Sequence, residues 1–540
     1  LRPAAVAPLP PGGVRVKGAG VVVVRLVRER DGAIAIDPTN ADTLYVGTSS
    51  RNGSQFSGDS TQPPAGLFRS TDGGASWIRL GSSYPLTTPS NASIFFNRII
   101  NVVIVDPAGS QTLYLACNAG LFVSTDGGFN WTQGSAPAGD VRSLVLDTTS
   151  PTGARILYAG ISGAGVVRST DGGRNWTTIL NAATPAVATS ISTGGFAGVG
   201  KAVVALAPPA APANPAGIQV LYAMVIGTGL PFGSADSLGL FQSADQGANW
   251  TLRANTAVLG AIGTSYGGYC AHIAVDPVSP GDGVADIIYV GTLGQGRSTD
   301  AGASFVALTG LHADTHTWAF APQAGPMSVA YCGNDGGIFS CAAGINFTSH
   351  NDGGLQTALF YNLDVRPDAS GSVTVGALQD NGIVTTAGVA APTWKMGAGG
   401  DGFDAAYDGQ LAAQVYGRSN ATILRSTNDG GTYAGITPPW SAAEVGVYLA
   451  AVATDPNTSG VVYASSNQNL WQSLDGEATG TVSATFGPGS IAQAHTRDEY
   501  IERSELEAGA GAFQRFLQEG TPAPVASGTR VGARSRAGAK

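Results

Sequence analysis

The chain has 540 residues, of which 12% are charged and 77 are glycine, and its formal net charge is −9. The acidic balance, with no Lys/Arg-rich run before the C-terminal tail, excludes the electrostatic footprint of a nucleic-acid-binding protein, and no apolar run approaches the roughly 18 residues of a membrane span. Low charge, many glycines and many short apolar runs favour an all-β protein with many turns.

Residues 1–30 are rich in proline and glycine and predict an N-terminal arm. The sequence then changes to "GAIAIDPTNADTLYVG" and, after a loop, to "GLFRSTDGGASWIRL". These segments contain four short apolar runs separated by turn signals, which predicts a unit of four short strands.

The closing phrase of this unit, Ser-x-Asp-x-Gly followed by an aromatic residue, recurs along the chain. The repeated aspartates are Asp72, Asp126, Asp171, Asp245, Asp300 and Asp429. Two intervening units carry degenerate phrases, and a ninth unit ends near Gly476. Four-stranded units repeated in this way are typical of propeller blades. Residues 31–485 therefore predict an all-β fold, a β-propeller of about nine four-stranded blades. A single ring is favoured over two because the run of units shows no break.

The repeated aspartates are expected to be structural, because six identical active sites in one chain would be unusual. An aspartate at a tight turn can accept hydrogen bonds from the backbone N–H groups of the following glycines. The aromatic residue then packs as an apolar wedge between blades. These aromatic residues are Trp77, Trp131, Trp176, Trp250, Phe305 and Tyr433.

The six phrases resemble the Asp-box, or BNR repeat, over roughly residues 31–476. This resemblance implies a propeller, but the family includes sialidases, xyloglucan-cleaving glycoside hydrolases, sortilin-type receptors and photosystem assembly factors, so fold alone does not select a function. The Arg-Ile-Pro motif of sialidases is missing, the nearest segment being "FFNRIINV" around Arg98. The xyloglucanase pattern "GGGFV…TDVGG" is also absent.

Chemistry-bearing residues concentrate in the sixth to eighth blades, in segments expected on the face opposite the repeated turns. If strand one descends from that top face, the segment before it and the loop after strand two both lie there, beside the central channel. The residues are His312, Asp314 and His316 before strand one of the sixth blade, Asn334 and Asp335 in its second loop, Gln379, Asp380 and Asn381 in the seventh blade, and Asp401 and Asp404 in the eighth, with His272 in the fifth.

Three roles suit this cluster. Two carboxylates about 5 to 9 Å apart can cleave a glycosidic bond, and the catalytic candidates are Asp314, Asp380, Asp401 and Asp404, with Asn334, Asp335, Gln379 and Asn381 as ligand-binding residues. Alternate side chains of an extended strand share one face, so His312, Asp314 and His316 could bind one divalent cation, calcium or a transition metal. In the third alternative these side chains only hydrogen-bond loop backbone.

The segments "HADTH", "GNDGG", "LQDNG" and "GGDG" resemble bacterial sortilin-like BNR proteins, which are often labelled glycosyl hydrolases. This resemblance implies a secreted, glycoside-hydrolase-like protein that acts on or binds a polysaccharide or oligosaccharide. The alternative is a non-catalytic propeller that binds proteins or serves extracellular assembly.

Cys332 and Cys341 flank the turn in "CGNDGGIFSC" and are predicted to form a disulfide, the alternative being four buried thiols. An even cysteine count is compatible with an extracellular or periplasmic location. A second cation candidate is the segment with Asp276, Asp282 and Asp286, which weakly resembles a calcium loop. The sequence indicates no other cofactor.

Residues 486–540 form a charged tail. Its first part predicts one amphipathic helix, with Tyr500, Ile501 and Leu506 on one face, and a flexible tail is the alternative. An ordered tail would contact a protein partner or a second copy of the chain.

Overall fold

The computed structural model describes residues 33–48, 66–81, 94–95, 98–209, 219–230, 234, 236–321, 326–342, 344–351, 360–367, 373–387, 393–419, 422–436, 452–465, 469–474, 476 and 481–485. The expected arm and tail, with its helix, lie outside these residues. Within them the chain forms nine four-stranded antiparallel sheets, which we call blades 1 to 9 in chain order. The predicted all-β propeller fold is confirmed.

Blades 1 to 3 consist of β1 (Ile34–Asp37), β2 (Asn40–Gly47), β3 (Leu67–Ser70) and β4 (Ile78–Arg79); β5 (Ile100–Val105), β6 (Leu113–Cys117), β7 (Gly120–Ser124) and β8 (Thr132–Gln133); and β9 (Val141–Asp147), β10 (Ile156–Ile161), β11 (Gly165–Ser169) and β12 (Thr177–Leu180). Blades 4 to 6 consist of β13 (Gly198–Leu206), β14 (Leu221–Thr228), β15 (Ser237–Ser243) and β16 (Thr251–Asn255); β17 (His272–Val275), β18 (Ile288–Gly291), β19 (Gln295–Ser298) and β20 (Val306–Ala307); and β21 (Thr315–Ala321), β22 (Val329–Asn334), β23 (Gly337–Cys341) and β24 (Thr348–Ser349).

Blades 7 to 9 consist of β25 (Phe360–Val365), β26 (Val373–Leu378), β27 (Gly382–Ala387) and β28 (Thr393–Ala398); β29 (Gly402–Tyr407), β30 (Val415–Ser419), β31 (Thr422–Ser426) and β32 (Ala434–Ile436); and β33 (Val452–Thr454), β34 (Val462–Ser465), β35 (Asn469–Ser473) and β36 (Thr481–Thr485). The chain divides into two compact units, Leu1–Thr357 with blades 1 to 6 and Ala358–Lys540 with blades 7 to 9.

Helical structure among the described residues is short: α1 (Pro185–Gly194), α2 (Thr256–Gly260), α3 (Gly267–Cys270) and a 3₁₀ turn at Thr152–Ala154. Within that part of the chain, no helix has the length and apolar character needed to cross a membrane.

In each sheet the strands are hydrogen-bonded in chain order, so the first and fourth strands form opposite edges. In the first unit the first strands of consecutive blades pack side by side, from β1 beside β5 to β17 beside β21. In the second unit β25 packs beside β29, and β29 beside β33. We call these first strands the inner strands. Apolar cores lie between neighbouring sheets, as where Tyr222 and Met224 of blade 4 pack with Ile288 and Val290 of blade 5.

The repeated turn between the third and fourth strands is held by its own serine and aspartate. In blade 1 the Ser70 hydroxyl donates to Oδ1 of Asp72 at 2.7 Å, and the same oxygen accepts the Ser76 N–H at 2.8 Å. The N–H of Gly74 donates to Ser70 Oγ at 2.8 Å, and the N–H of Gly73 donates to the Asp42 carbonyl at 3.0 Å. The expectation that the glycine N–H groups donate to the aspartate is therefore wrong, because the serine hydroxyl lies between them.

The sixth copy of the turn is shifted by one residue from the expected position. Asn428 occupies the aspartate position, accepting the Ser426 hydroxyl at 2.9 Å and the Thr432 N–H at 2.9 Å. Asp429 takes the place of the first glycine, with φ of +61°. Its carboxylate instead lies 2.8 Å from Nη1 of Arg366.

In the second to sixth copies the aromatic residue packs in the apolar core shared with the preceding blade, as predicted. The Trp131 ring meets the Phe95 ring edge-on at 5.2 Å in the core between blades 1 and 2. Trp250 of blade 4 donates its indole N–H to the Ile179 carbonyl of blade 3 at 2.8 Å. The indole N–H of Trp131 donates to the Gly128 carbonyl at 2.7 Å, so both tryptophans satisfy their one polar group while the ring fills the space between two sheets.

The predicted Cys332–Cys341 disulfide does not form. The antiparallel register places Cys332 opposite Phe339 and Cys341 opposite Ala330, so the two cysteines are offset by two positions. Such diagonal neighbours are roughly 7 to 8 Å apart, beyond the usual Cα separation of a disulfide. All four cysteines are buried thiols.

Candidate functional site

The inner strands of blades 1 to 6 enclose a cavity of about 560 Å³. This volume lies within the usual range for small-molecule sites, roughly 300 to 1,000 Å³. Most of the residues that line it are apolar, among them Trp318 and Phe320. Polar side chains from five consecutive blades interrupt the apolar wall: Asn101, Arg142, Lys201, Tyr269, His272 and His316.

A β-bulge near the start of the inner strand presents several of these polar side chains. In blade 2 the partners of β6 are Ile100 and Val102, so Asn101 is the extra residue. Arg142 is the extra residue in blade 3 and His316 in blade 6. In blade 4 Gly200 and Lys201 together form the bulge. A bulge re-aims a side chain that regular alternation would place elsewhere, so the same backbone irregularity brings four polar residues to one cavity.

The carboxylate of Asp335, in the loop between β22 and β23, connects two of the aromatic side chains on the cavity wall. Its Oδ1 lies 2.6 Å from Nε2 of His316, and its Oδ2 accepts the Tyr269 hydroxyl at 2.8 Å. The Tyr269 and His316 rings meet edge-on with centroids 5.2 Å apart. Tyr269 lies in α3, just before β17, so blades 5 and 6 are joined at this point.

Asp314 lies beside this group and is partly buried. Its Oδ1 accepts the Cys270 thiol at 3.3 Å. Burial, with the charge of nearby Asp335 as a second cause, raises the pKa of Asp314 above its usual value. Burial and the Asp314 charge likewise raise the pKa of the Cys270 thiol. Burial is the main cause of both shifts, and each extends the pH range over which the group keeps its proton.

The His312, Asp314 and His316 set does not match the expected cation site. The argument required an extended strand, but β21 begins only at Thr315, and Asp314 has φ of +60° in the left-handed region. His312 Nδ1 lies 3.2 Å from the Ala313 carbonyl, and His316 contacts Asp335. Among the described residues, which include all three, no group of three or more His, Cys, Asp or Glu is arranged to hold a metal ion.

The aspartates of the calcium-loop candidate each accept hydrogen bonds from the protein itself. Asp276 accepts the Ser328 hydroxyl at 2.6 Å, and Asp286 accepts the Tyr222 hydroxyl at 2.6 Å. Asp282 accepts the N–H groups of Val284 and Ala285 within its own turn. These carboxylates thus act as acceptors for backbone and side-chain groups of the protein.

On the blade 4 side of the cavity, Lys201 is 8% exposed and its Nζ lies 3.3 Å from the Tyr269 carbonyl oxygen. On the blade 3 side, Asp140 fixes two polar residues of the wall. Its Oδ2 lies 2.6 Å from Nε of Arg142, and its Oδ1 accepts Nδ2–H of Asn101 at 2.8 Å.

Sequence reasoning missed Asn101, Arg142, Lys201 and Tyr269. The one signal for the first three was a polar residue near the start of an otherwise apolar inner strand, and Tyr269 lies outside the strand, in α3.

Asn334, expected to bind ligand, instead holds the backbone of the neighbouring segment. Its Nδ2–H donates to the His312 carbonyl at 3.1 Å, and its Oδ1 accepts the Gly336 N–H at 3.1 Å. It therefore positions the loop that carries Asp335.

The candidates of blades 7 and 8 lie in the second unit, where they contact one another. The Asp380 N–H donates to Oδ1 of Asp401 at 3.0 Å, and Gln379 accepts the Tyr361 hydroxyl at 2.8 Å. Asn381 donates its side-chain N–H to the Gln379 carbonyl at 3.2 Å. These contacts place the loop after strand two of blade 7 beside the segment that precedes strand one of blade 8, as the strand order predicted.

Asp404 differs from the expectation of a catalytic carboxylate. It is 8% exposed, and its Oδ2 accepts the Val452 N–H at 2.7 Å. Its Oδ1 accepts the Ala405 N–H at 2.9 Å and a short hydrogen bond from Nδ2 of Asn362. Both oxygens thus join strands of blades 7, 8 and 9, which is a structural arrangement.

No protein-family model matches the chain, and no curated protein matches its sequence. Solved structures match its fold. A GH74 enzyme of Niastella koreensis is 18% identical, with a TM-score of 0.52, over 84% of this chain and 65% of that enzyme. The GH74 xyloglucanase of Xanthomonas campestris is 16% identical, with a TM-score of 0.52, over 85% of this chain and 67% of that enzyme. The chain thus spans roughly two thirds of the length of these enzymes. At this identity the similarity establishes the β-propeller fold that they share with this chain.

Proposed function

We propose that this protein is a carbohydrate-active β-propeller that binds a saccharide in the cavity of blades 1 to 6. The observation that carries the proposal is the wall itself, where hydrogen-bonding side chains of blades 2 to 6 alternate with aromatic and aliphatic surface. A saccharide presents both hydroxyl groups and apolar C–H faces, so such a wall suits it. The fold shared with GH74 enzymes, and the resemblance of the repeated turns to Asp-boxes, are consistent with this proposal.

We propose that Asp314, which contacts Cys270 of the cavity wall, is the proton donor of a glycosidic cleavage at the edge of this site. A general acid must remain protonated near neutral pH, and burial raises the pKa of Asp314 in that direction. Asp335 supplies a second carboxylate, held by His316 and Tyr269. Polymeric saccharides are found outside the cell, so this activity is compatible with the extracellular or periplasmic location expected from the sequence.

The binding test is a glycan array of neutral and acidic oligosaccharides, followed by titration calorimetry on the hits. Tyr269→Ala and His316→Gln should each weaken binding of the hit by about tenfold, because each removes one hydrogen-bonding wall contact. His350→Gln is the matched control, since His350 is exposed in the same blade and bonded to Ser340. Binding by wild type that neither cavity variant weakens, or no binding to any saccharide, would refute the cavity as the site.

The cleavage test measures release of reducing sugar from the same hits. Asp314→Asn should abolish release while binding is retained, and Asp42→Asn on the exposed part of β2 should change neither. Release that persists in Asp314→Asn would remove Asp314 from this role. If the wild-type protein binds a saccharide but releases no reducing sugar, the proposed cleavage is refuted and the protein is a carbohydrate-binding protein.

A further inference from the structure

The charge of the cavity wall is opposite to that of the whole protein. The chain carries 37 acidic and 28 basic residues. Among the described residues that line the cavity, however, none is Asp or Glu, whereas Arg142 and Lys201 are positively charged and His272 and His316 become so when protonated. A concave site lined by one sign of charge focuses the electrostatic field and attracts ligands of the opposite sign.

The basic side chains lie at equivalent positions of four consecutive inner strands. Arg142, Lys201 and His316 lie in bulges near the starts of β9, β13 and β21, and His272 is the first residue of β17. Inner strands of neighbouring blades pack side by side, so their starts lie at one end of the cavity. The basic residues therefore form an arc, which we call the basic arc.

Carboxylates behind the wall hold the basic arc in place. Asp140 contacts the Nε of Arg142, and Asp335 contacts His316. Burial raises the pKa of two further carboxyls nearby, Asp236 and Asp314. Lys201, which is 8% exposed, contributes its amine to the arc. A bound anion would offset the cost of burying that charge.

We propose that the saccharide bound in this cavity is acidic, with a uronate carboxylate at the basic arc. This inference rests on the proposed function and adds the substrate class. A guanidinium and an ammonium together can bind a carboxylate with charge-assisted hydrogen bonds. The half-buried rings of Tyr269 and Phe320 are left for the sugar ring, whereas Trp318 is buried in the core of blades 5 and 6.

The test compares each acidic oligosaccharide with a partner that differs only in charge. Trigalacturonate and β-1,4-linked triglucuronate are titrated calorimetrically beside their methyl esters, which keep the ring hydroxyls and lose the charge. At least one acid should bind about tenfold or more tightly than its ester, as a charge-assisted hydrogen bond requires. The acid's affinity should fall with added salt, whereas the ester's should not.

Variants assign that difference to the basic arc. Lys201→Met and Arg142→Gln should each weaken the acid about tenfold and leave the ester unchanged. Lys201→Arg and Arg142→Lys keep the charge and should retain most of the preference, and melting temperatures verify that each variant folds. Arg174→Gln, on an exposed repeated turn, is the matched control.

The outcomes separate this inference from the proposed function. Esters or neutral saccharides that bind in the cavity as tightly as the acids would overturn the acidic ligand and leave saccharide binding intact. A preference for the acids that both Lys201→Met and Arg142→Gln retain would place the anion outside the basic arc and overturn the site. Failure of every saccharide to bind would remove both proposals.

Discussion

Nε2 of His316 lies 2.6 Å from Oδ1 of Asp335, joining the bulge at the start of β21 to the loop after β22. The bulge excludes His316 from the regular pairing of these strands, since Thr315 pairs with Asn334 and Thr317 with Gly333. The backbone pairing of β21 and β22 therefore does not fix the imidazole of His316. The carboxylate of Asp335, 19 residues further along the chain, does so instead.

Asp335→Asn should weaken the contact with His316, because it removes a charge but keeps the size of the side chain. The amide can still accept the Tyr269 hydroxyl, but it removes the negative charge beside His316. We expect a loss of about 1 to 2 kcal/mol in the free energy of unfolding, measured by urea denaturation at pH 7, together with weaker saccharide binding. Asp282→Asn, in an exposed turn of blade 5, should have almost no effect on either. An Asp335→Asn protein with wild-type stability and affinity would contradict the positioning role.

Asp314→Asn should make the protein more stable at neutral pH. Because the pKa of Asp314 is raised in the folded state, folding opposes its ionisation, and wild type loses stability as the pH rises through the unfolded pKa of about 4 towards the folded value. Below about pH 4 the carboxyl is protonated in both states, so the advantage of the variant should disappear. Urea midpoints of both proteins from pH 3 to pH 8 test this. An advantage that is the same at every pH would exclude ionisation of Asp314 as its cause.

Asp126→Ala should affect stability alone. The Asp126 carboxylate accepts the Ser124 hydroxyl at 2.8 Å, the Asn130 N–H at 2.9 Å and the Asn130 amide at 2.7 Å. Its loss should cost about 1 to 2 kcal/mol, as measured by denaturant unfolding. Saccharide binding per folded molecule should stay at the wild-type level. A variant with unchanged stability and abolished binding would show that the repeated turns have a direct functional role.

Asp404→Ala should be far more damaging than Asp401→Ala, although both lie in the same segment. Removing the Asp404 carboxylate leaves the buried Val452 N–H without its acceptor and breaks the contact to Asn362. We expect a loss of about 3 kcal/mol or more, visible as a lower melting temperature. The Asp401 carboxylate is only partly buried, so its removal should cost less. Equal melting temperatures of the two variants would argue against a structural role for Asp404.

Contacts between residues that are close together in the chain could be predicted from the sequence. Asp72 binds groups at Ser70 and Ser76, and Asp37 accepts the Thr39 N–H two residues away. Such contacts depend on the local order of residue types and little on the rest of the fold. Because these turn contacts recur together with four short apolar runs, the sequence determined the strands, the turns between them and the propeller blades. The same local pattern, Ser-x-Asn-x-Gly, identifies Asn428 rather than Asp429 as the turn residue of blade 8.

The cavity wall depended on contacts between distant residues. Period-two alternation along an inner strand does not reveal a bulge, because the bulge exists only relative to the neighbouring strand. Arg142 and Lys201 therefore could not be assigned to the cavity from their positions in sequence. Tyr269 and Asp335, 66 residues apart, meet only because blades 5 and 6 pack together. Asp404 looked catalytic in sequence, and only the packing of blades 7 to 9 around its two oxygens gave it a structural role. The local order of residues determined each blade, and the long-range pairing of strands and blades decided which polar side chains reach the cavity.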